Sequence, residues 1–302
     1  MDRTSVDWHG PMVAVITPFD DDGNIDEANF SSNLQRMFDN RATGIVVGGC
    51  TGEFWALSHD ERCRLFSLGV KSAEGRGTVI VGTGAVTVEE TIRLTLEAER
   101  AGCHGALILP PYFVKLTEDE IFHHYETVSI ATNIPIILYN IPGNAVNAIT
   151  PTLAGRLADL DQVVAIKESS GDWNNFYATL VEVKERIRVF CGPSSLYGAP
   201  AVSIGADGTI DCFPNVWAPG CMDLYYSTNN GCTAESQDLQ VTALRLTELF
   251  TSGGRTLYPA TKAAMDLLGY FGGKPRSPLQ ALKGQPLKEL KNGLVTLGLL
   301  DE

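Results

Sequence analysis

No stretch of this chain approaches the run of about eighteen apolar residues that a membrane-spanning helix needs. The opening residues, Met1-Asp2-Arg3-Thr4-Ser5-Val6-Asp7-Trp8, lack the apolar centre of a secretion signal. Cationic side chains are scarce: 23 Lys and Arg stand against 36 Asp and Glu, a formal charge of −13. That balance favours solubility and argues against nucleic acid as a partner. It does not forbid an anionic small molecule, because a pocket can be locally positive. No C-x-x-C pair occurs, and the seven cysteines, Cys50, Cys63, Cys103, Cys191, Cys212, Cys221 and Cys232, are odd in number. Reduced thiols in a cytoplasm are expected, not a disulfide framework or a zinc site. The five histidines, His9, His59, His104, His123 and His124, show no H-E-x-x-H spacing, and none closes an apolar run. A metal centre is therefore not expected. Gly82-Thr83-Gly84-Ala85-Val86-Thr87 starts like a dinucleotide fingerprint but lacks its third glycine, so it reads as a turn.

What is present is alternation. At 302 residues and 44% hydrophobic content, the chain can fill one large core. Short β-branched runs predict strands at Met12–Thr17, Gly44–Gly49, Thr78–Gly82, Gly105–Leu109, Ile134–Tyr139, Val163–Lys167, Arg188–Cys191 and Gly208–Cys212. Amphipathic stretches between them predict helices at Glu27–Asn40, Asp60–Ala73, Val88–Ala101, Glu118–Thr132, Thr152–Ala158, Trp173–Arg186, Leu196–Ile204 and Pro219–Asn229. Thr87 with Glu90, and Thr117 with Glu120, have capping-box spacing. Eight strand–helix units predict a (β/α)8 TIM barrel over residues 1–230. About 70 residues remain after the eighth unit, far more than closing a barrel of about 250 residues needs, and residues 231–302 read as a C-terminal helical extension. Its helices are expected near Ala234–Phe250, Pro259–Gly269 and Leu287–Leu294.

In such barrels the active site forms at the C-terminal strand ends. Lys167 ends the run Val163-Val164-Ala165-Ile166-Lys167, and strand alternation places Val163, Ala165 and Lys167 on one face. An ammonium there either snorkels past the strand end into water or loses its charge on burial and becomes an amine nucleophile. Tyr139 ends the fifth strand and offers a phenol for proton transfer, or a buried hydroxyl satisfied by backbone. Gly48-Gly49-Cys50-Thr51-Gly52-Glu53 is either an ordinary βα turn or a carboxylate cradle of backbone amides and a hydroxyl. Pro110-Pro111-Tyr112-Phe113-Val114 is apolar and aromatic where a solvated loop would be polar, which suggests a contact surface.

Ile16-Thr17-Pro18-Phe19, Gly49-x-Thr51-Gly52-Glu53, Tyr139-Asn140-Ile141-Pro142-Gly143 and Ile166-Lys167-Glu168 follow in order along nearly the whole chain. Together they resemble the dihydrodipicolinate synthase / N-acetylneuraminate lyase family. The resemblance implies a class I, lysine Schiff-base lyase acting on pyruvate or another 2-oxo acid, with no cofactor. It implies Lys167 as the Schiff-base lysine and Tyr139 as the proton-relay tyrosine. Thr51 and the Gly52 backbone then form the carboxylate cradle, and Ile210 lines the pocket opposite. It also implies a homo-oligomer, a dimer or tetramer, with Tyr112 or Phe113 crossing an interface beside the site. Three positions depart from the synthase pattern: Cys50 replaces a threonine, Phe113 a tyrosine, and Asn144 an arginine suited to a second carboxylate. These departures make a lyase for a 2-keto-3-deoxy sugar acid the expected activity. A dihydrodipicolinate synthase with altered relay residues and a non-catalytic 2-oxo-acid-binding paralogue are the alternatives.

Overall fold

A computed structural model of the chain describes residues 1–301. Eight parallel strands close into a barrel in chain order: β1 (Gly10–Ala14), β2 (Gly44–Val47), β3 (Thr78–Gly82), β4 (Gly105–Ile108), β5 (Ile136–Asn140), β6 (Val163–Glu168), β7 (Arg188–Cys191) and β8 (Gly208–Asp211). The expected TIM barrel is therefore the fold. Its outer ring is α1 (Glu27–Asp39), α2 (His59–Ala73), α3 (Val88–Arg100), α4 (Glu118–Ala131), α6 (Pro151–Leu157), α7 (Trp173–Val183), α8 (Ser194–Ser203) and α9 (Pro214–Asn229). A four-residue helix, α5 (Pro142–Ala145), and a 3-10 turn at Phe54–Ala56 follow β5 and β2; neither is long enough to leave a periodic pattern. The first strand begins two residues earlier than the apolar run suggested and ends at Ala14, so Val15 to Thr17 belong to the loop at the barrel mouth.

Local chemistry explains the helix starts. Thr117 and Glu120 form a full capping box, each side chain meeting the other's backbone N–H. Thr87 caps Glu90 N, but the Glu90 carboxylate turns to His59 Nδ1 at 2.8 Å instead of returning, so that box is only half made. A second complete box, Ser58 with Glu61, opens α2.

Two apolar layers result. Outward-facing strand residues such as Val13, Ile45, Val81 and Val163 pack with the inner faces of the helices. Inward residues such as Met12, Ile80, Leu107, Ile137 and Ile210 fill the barrel. Strict alternation fails once, in β6. The register against β5 shifts between Ile136 and Ile137, so Val163 faces the helices while Val164 and Ala165 both face the interior. Val163 therefore does not share the face of Lys167, contrary to simple alternation; the bulge beside it reorients the strand.

The C-terminal region forms α10 (Thr233–Thr251), α11 (Leu257–Leu267) and α12 (Gly284–Thr296). Glu302, the last residue of that region, lies outside the described residues. These helices share a core with the barrel: Leu246, Phe250, Ala260 and Met265 pack with Ile16, Cys212, Phe213 and Val216. Arg276, in the loop between α11 and α12, reaches back to α2, with Nη2 at 2.5 Å from Glu61 Oε1. That contact holds the Glu61 carboxyl down at about 2. Ion pairing and burial thus fix the last helices against the mouth of the barrel, not at its base.

Candidate active site

Barrel closure brings the C-terminal ends of β1, β2, β5, β6, β7 and β8 around one cavity of about 190 Å³. Lys167, Tyr139, Cys50, Thr51 and Ile210 all line it. It is smaller than a site for a drug-sized ligand and suits an acid of a few carbon atoms.

Lys167 is 6% exposed. β6 pairs in register with β5 so that Lys167 lies opposite Tyr139, and Nζ sits 4.4 Å from the centre of the Tyr139 ring. The nearby carboxylate of Asp211 is already engaged by Ser194 Oγ at 2.7 Å, Ser195 N at 3.1 Å and Cys212 N at 2.6 Å. Desolvation is the leading influence on Lys167 and lowers its pKa, opposed by the neighbouring thiols and Asp211. The snorkelling alternative does not hold: the side chain points into the barrel. Glu168, one residue on, faces the other way and is held by Asn140 Nδ2 at 2.8 Å and Ser170 N at 2.9 Å.

Tyr139 is 5% exposed, and burial, followed by the adjacent Cys50, pushes its phenol well above the usual range. It is therefore a neutral O–H donor at neutral pH.

The glycine turn is tight. Gly48 has φ +61°, and a Cβ on Gly52 would lie 3.2 Å from both Gly48 Cα and Gly48 N. Gly52 does not line the cavity. Its N–H donates to Gly49 O at 3.0 Å and its carbonyl accepts from Thr17 Oγ1 at 2.8 Å. The expected role of the Gly52 backbone in a cradle is thus corrected: the turn consumes that amide. Among the described residues, no backbone carbonyl takes the N–H of Cys50 or Thr51, so those two amides with the Thr51 hydroxyl are the available donors.

The remaining expected positions divide. Ile210 is fully buried and forms an apolar wall. Asn144 is exposed on α5 and does not line the cavity. Tyr112 turns inward, edge-on to Phe54 at 5.9 Å, while Phe113 is 86% exposed with φ +76°. Only Phe113 presents an open aromatic face.

Tyr258, on the first turn of α11, was not anticipated. It lines the same cavity as Cys50 and packs on Trp55 at 5.3 Å. Thr247 and Thr251 of α10 line the same opening. The C-terminal region is thus part of the site. No local pattern around Leu257-Tyr258-Pro259 marks this; only the path of the chain reveals it.

Sequence and structure comparisons point to one family. The dihydrodipicolinate synthetase family matches residues 7–296. The chain belongs to that family. As a member it is a class I, lysine Schiff-base lyase. The 4-hydroxy-tetrahydrodipicolinate synthase of Bacillus subtilis (strain 168) is 34% identical over 272 residues, covering 89% of this chain and 92% of the relative. The chloride-inhibited dihydrodipicolinate synthase from Acinetobacter baumannii, solved in complex with pyruvate, superposes with a TM-score of 0.90 at 27% identity, covering 97% of this chain and 99% of that one. A monomeric dihydrodipicolinate synthase variant superposes with a TM-score of 0.91 at 29% identity, over 97% and 98% of the two chains.

Proposed function

We propose that Lys167 forms an imine with the 2-carbonyl of pyruvate and that the resulting enamine makes a carbon–carbon bond to an aldehyde. The observation that carries this is the buried lysine over the Tyr139 ring, at the floor of a small cavity. Burial favours the neutral amine, which is the nucleophile. The amides of Cys50 and Thr51 hold the carboxylate of the 2-oxo acid. Tyr139 gives a proton to the departing carbinolamine oxygen, takes one back from the iminium's methyl carbon as the enamine forms, and gives it to the new alkoxide. The pyruvate complex of the Acinetobacter baumannii relative supports the choice of 2-oxo acid. The relatives' shared name supports the synthase reading, in which the aldehyde is aspartate semialdehyde; they favour it over the expected sugar-acid lyase.

One observation keeps the second reading, cleavage of a 2-keto-3-deoxy sugar acid. Among the described residues lining the cavity there is no basic side chain besides Lys167, and the opening carries the hydroxyls of Ser195, Thr247 and Thr251. Such a lining suits a polyol chain better than a second carboxylate. Assays run in parallel separate the two. Consumption of pyruvate with aspartate semialdehyde at about 10⁴ M⁻¹s⁻¹ or faster establishes the synthase. Pyruvate release from sugar acids, with a synthase rate several decades lower, establishes the lyase.

The substrate is a small molecule, and no described helix is long and apolar enough to cross a membrane. All seven cysteines are unpaired, which suits a reducing cytoplasm. The exposed Phe113 loop supports a homo-oligomer assembled beside the site. The monomeric synthase variant shows that this fold tolerates the alternative.

A further inference from the structure

Asp211 ends β8 and is the one acidic side chain among the described residues that line the cavity. It is 8% exposed. Its carboxylate is fixed by hydrogen bonds: Ser194 Oγ donates to Oδ2 at 2.7 Å, Ser195 N to Oδ2 at 3.1 Å, and Cys212 N to Oδ1 at 2.6 Å. The two serines are held in turn by Gln240 of α10. Its Nε2 donates to Ser194 O at 3.1 Å and to Ser195 O at 2.8 Å, and its Oε1 accepts from Ala199 N at 2.8 Å. The first turn of α8 is therefore clamped from behind, and the carboxylate with it. All of the donors to Asp211 are uncharged, and among the described residues no ion pair reaches it. A carboxylate has about four acceptor sites, so Oδ1, with a single donor, keeps acceptor capacity. Burying such a group without a cation is costly, and the open acceptor calls for a donor that the described chain does not supply. The carboxylate of the 2-oxo acid belongs at the Cys50 and Thr51 amides after β2. That leaves the β7–β8 side of the cavity, with Ser195 and Asp211, to the aldehyde half.

We propose that Asp211 is a specificity residue that reads the aldehyde: its carboxylate accepts a hydrogen bond from an ammonium or hydroxyl on the chain beyond the reacting carbonyl. The proposal deepens the imine-and-enamine reading above and rests on it. Ammonium and hydroxyl share the chemistry that counts here, an N–H or O–H donor, and either satisfies the open acceptor. An aldehyde lacking a donor leaves that buried acceptor unpaired, and the site discriminates against it for that reason. The same charge repels a carboxylate placed beside it.

Four aldehydes, each offered with saturating pyruvate, test the role in two pairs. Aspartate semialdehyde and succinic semialdehyde differ by the ammonium; glyceraldehyde and propanal differ by hydroxyls. At saturating pyruvate, kcat/KM for the aldehyde is counted from the enamine already formed, so the ratio within a pair isolates recognition of the aldehyde. Wild type should favour the donor-bearing member of at least one pair by about tenfold or more, the size of a hydrogen bond to a charged group. The pair that shows the preference identifies the donor. Asp211→Asn, which keeps an acceptor without the charge, should erase an ammonium preference and only weaken a hydroxyl preference, whereas Asp211→Ala should erase either. Ser194→Ala removes the 2.7 Å bond that aims the carboxylate and should cut the preference severalfold, which keeps the test open if the Asp211 variants do not fold. Melting temperature and borohydride trapping of pyruvate at Lys167 show which variants are folded and form the imine. A merely structural Asp211 would slow both members of a pair alike and leave their ratio unchanged. Wild-type ratios within about threefold in both pairs, or folded variants that retain the wild-type ratio, overturn the role of Asp211 and leave the imine reading standing. Protein that traps none of several 2-oxo acids, or that traps pyruvate yet condenses with none of the four aldehydes, overturns the reading above and the role of Asp211 with it.

Discussion

Lys167 and Tyr139 are register partners on adjacent parallel strands, and the side-chain nitrogen of one lies 4.4 Å from the ring centre of the other. Two side chains so placed cannot drift apart without breaking the ladder between β5 and β6. Nucleophile and acid are thus positioned by the backbone of the sheet rather than by a loop, the placement that holds reacting groups most closely.

The first prediction concerns that pair. Borohydride with pyruvate should add mass to wild-type protein at Lys167, and Lys167→Ala should abolish the adduct. The lowered pKa of Lys167 sets the sign of the pH dependence. Imine formation needs the free amine, so its rate should climb with pH and level off below the usual lysine value. A rate still rising steeply through pH 10 would show an ordinary, solvated lysine.

A second prediction concerns Phe113, which combines 86% exposure with φ +76°. A non-glycine residue held there carries strain on the order of 1–3 kcal/mol and persists where something else requires it. Phe113→Asp should lower the assembly state at micromolar concentration in sedimentation, while Phe113→Tyr leaves it unchanged. Phe113→Gly should relieve the strain, weakening assembly while raising the melting temperature of the dissociated chain. Tyr112→Asp, by contrast, should damage folding more than assembly, because Tyr112 packs inward on Phe54. A wild-type chain that sediments as a monomer would remove the proposed interface.

The barrel was legible because its signals are local and repeated: each β-branched run sits between turn residues, and each helix carries its own cap. Lys167 and Tyr139 were legible because a charged and a phenolic group ending buried runs conflict with their surroundings. Three things were not. The bulge that puts Val164 and Ala165 on one face arises from pairing with β5, which no single strand encodes. The Gly52 amide is spent inside its own turn, a matter of backbone geometry and not of residue type. Tyr258 lines the cavity with Cys50 only because α11 folds back over the barrel mouth, far along the chain from every motif.

That return of α11 motivates a third prediction. Lys262, one turn after Tyr258, is 1% exposed and places Nζ 2.5 Å from Oε1 of the fully buried Glu53, beside the glycine turn. Nζ also lies 4.3 Å from the centre of the Phe19 ring, and Glu53 Oε2 accepts from Arg276 N at 2.9 Å. The pair ties the helix bearing Tyr258 to the turn bearing Cys50 and Thr51. Lys262→Met strands a buried carboxylate and should cost about 3–5 kcal/mol in denaturant unfolding. Lys262→Met with Glu53→Gln should recover a substantial part, since the uncompensated charge is gone. A loss below about 1 kcal/mol, the range of exposed pairs, would mean that water reaches the site.

The last prediction is an acid sensitivity away from the cavity. His124 on α4 is buried, stands edge-on to Tyr125 at 5.5 Å, and its Nε2 has no hydrogen-bond partner among the described residues. Burial lowers its pKa from 6.5 to about 4, with Glu89 opposing weakly. The folded state therefore resists protonation that the unfolded chain accepts. Between pH 6.5 and about 4 the unfolded state binds more protons, so stability must fall as pH falls across that window and level off below it. One pKa unit corresponds to about 1.4 kcal/mol, so the loss should reach on the order of 2–3 kcal/mol. His124→Leu keeps an apolar group of similar reach and removes the titration. Its unfolding free energy should decline less than that of wild type from pH 6.5 to pH 4, by about that amount, with the two proteins differing little in shape of response above pH 7. Parallel slopes for both proteins across the window would assign the acid lability to the carboxylates instead.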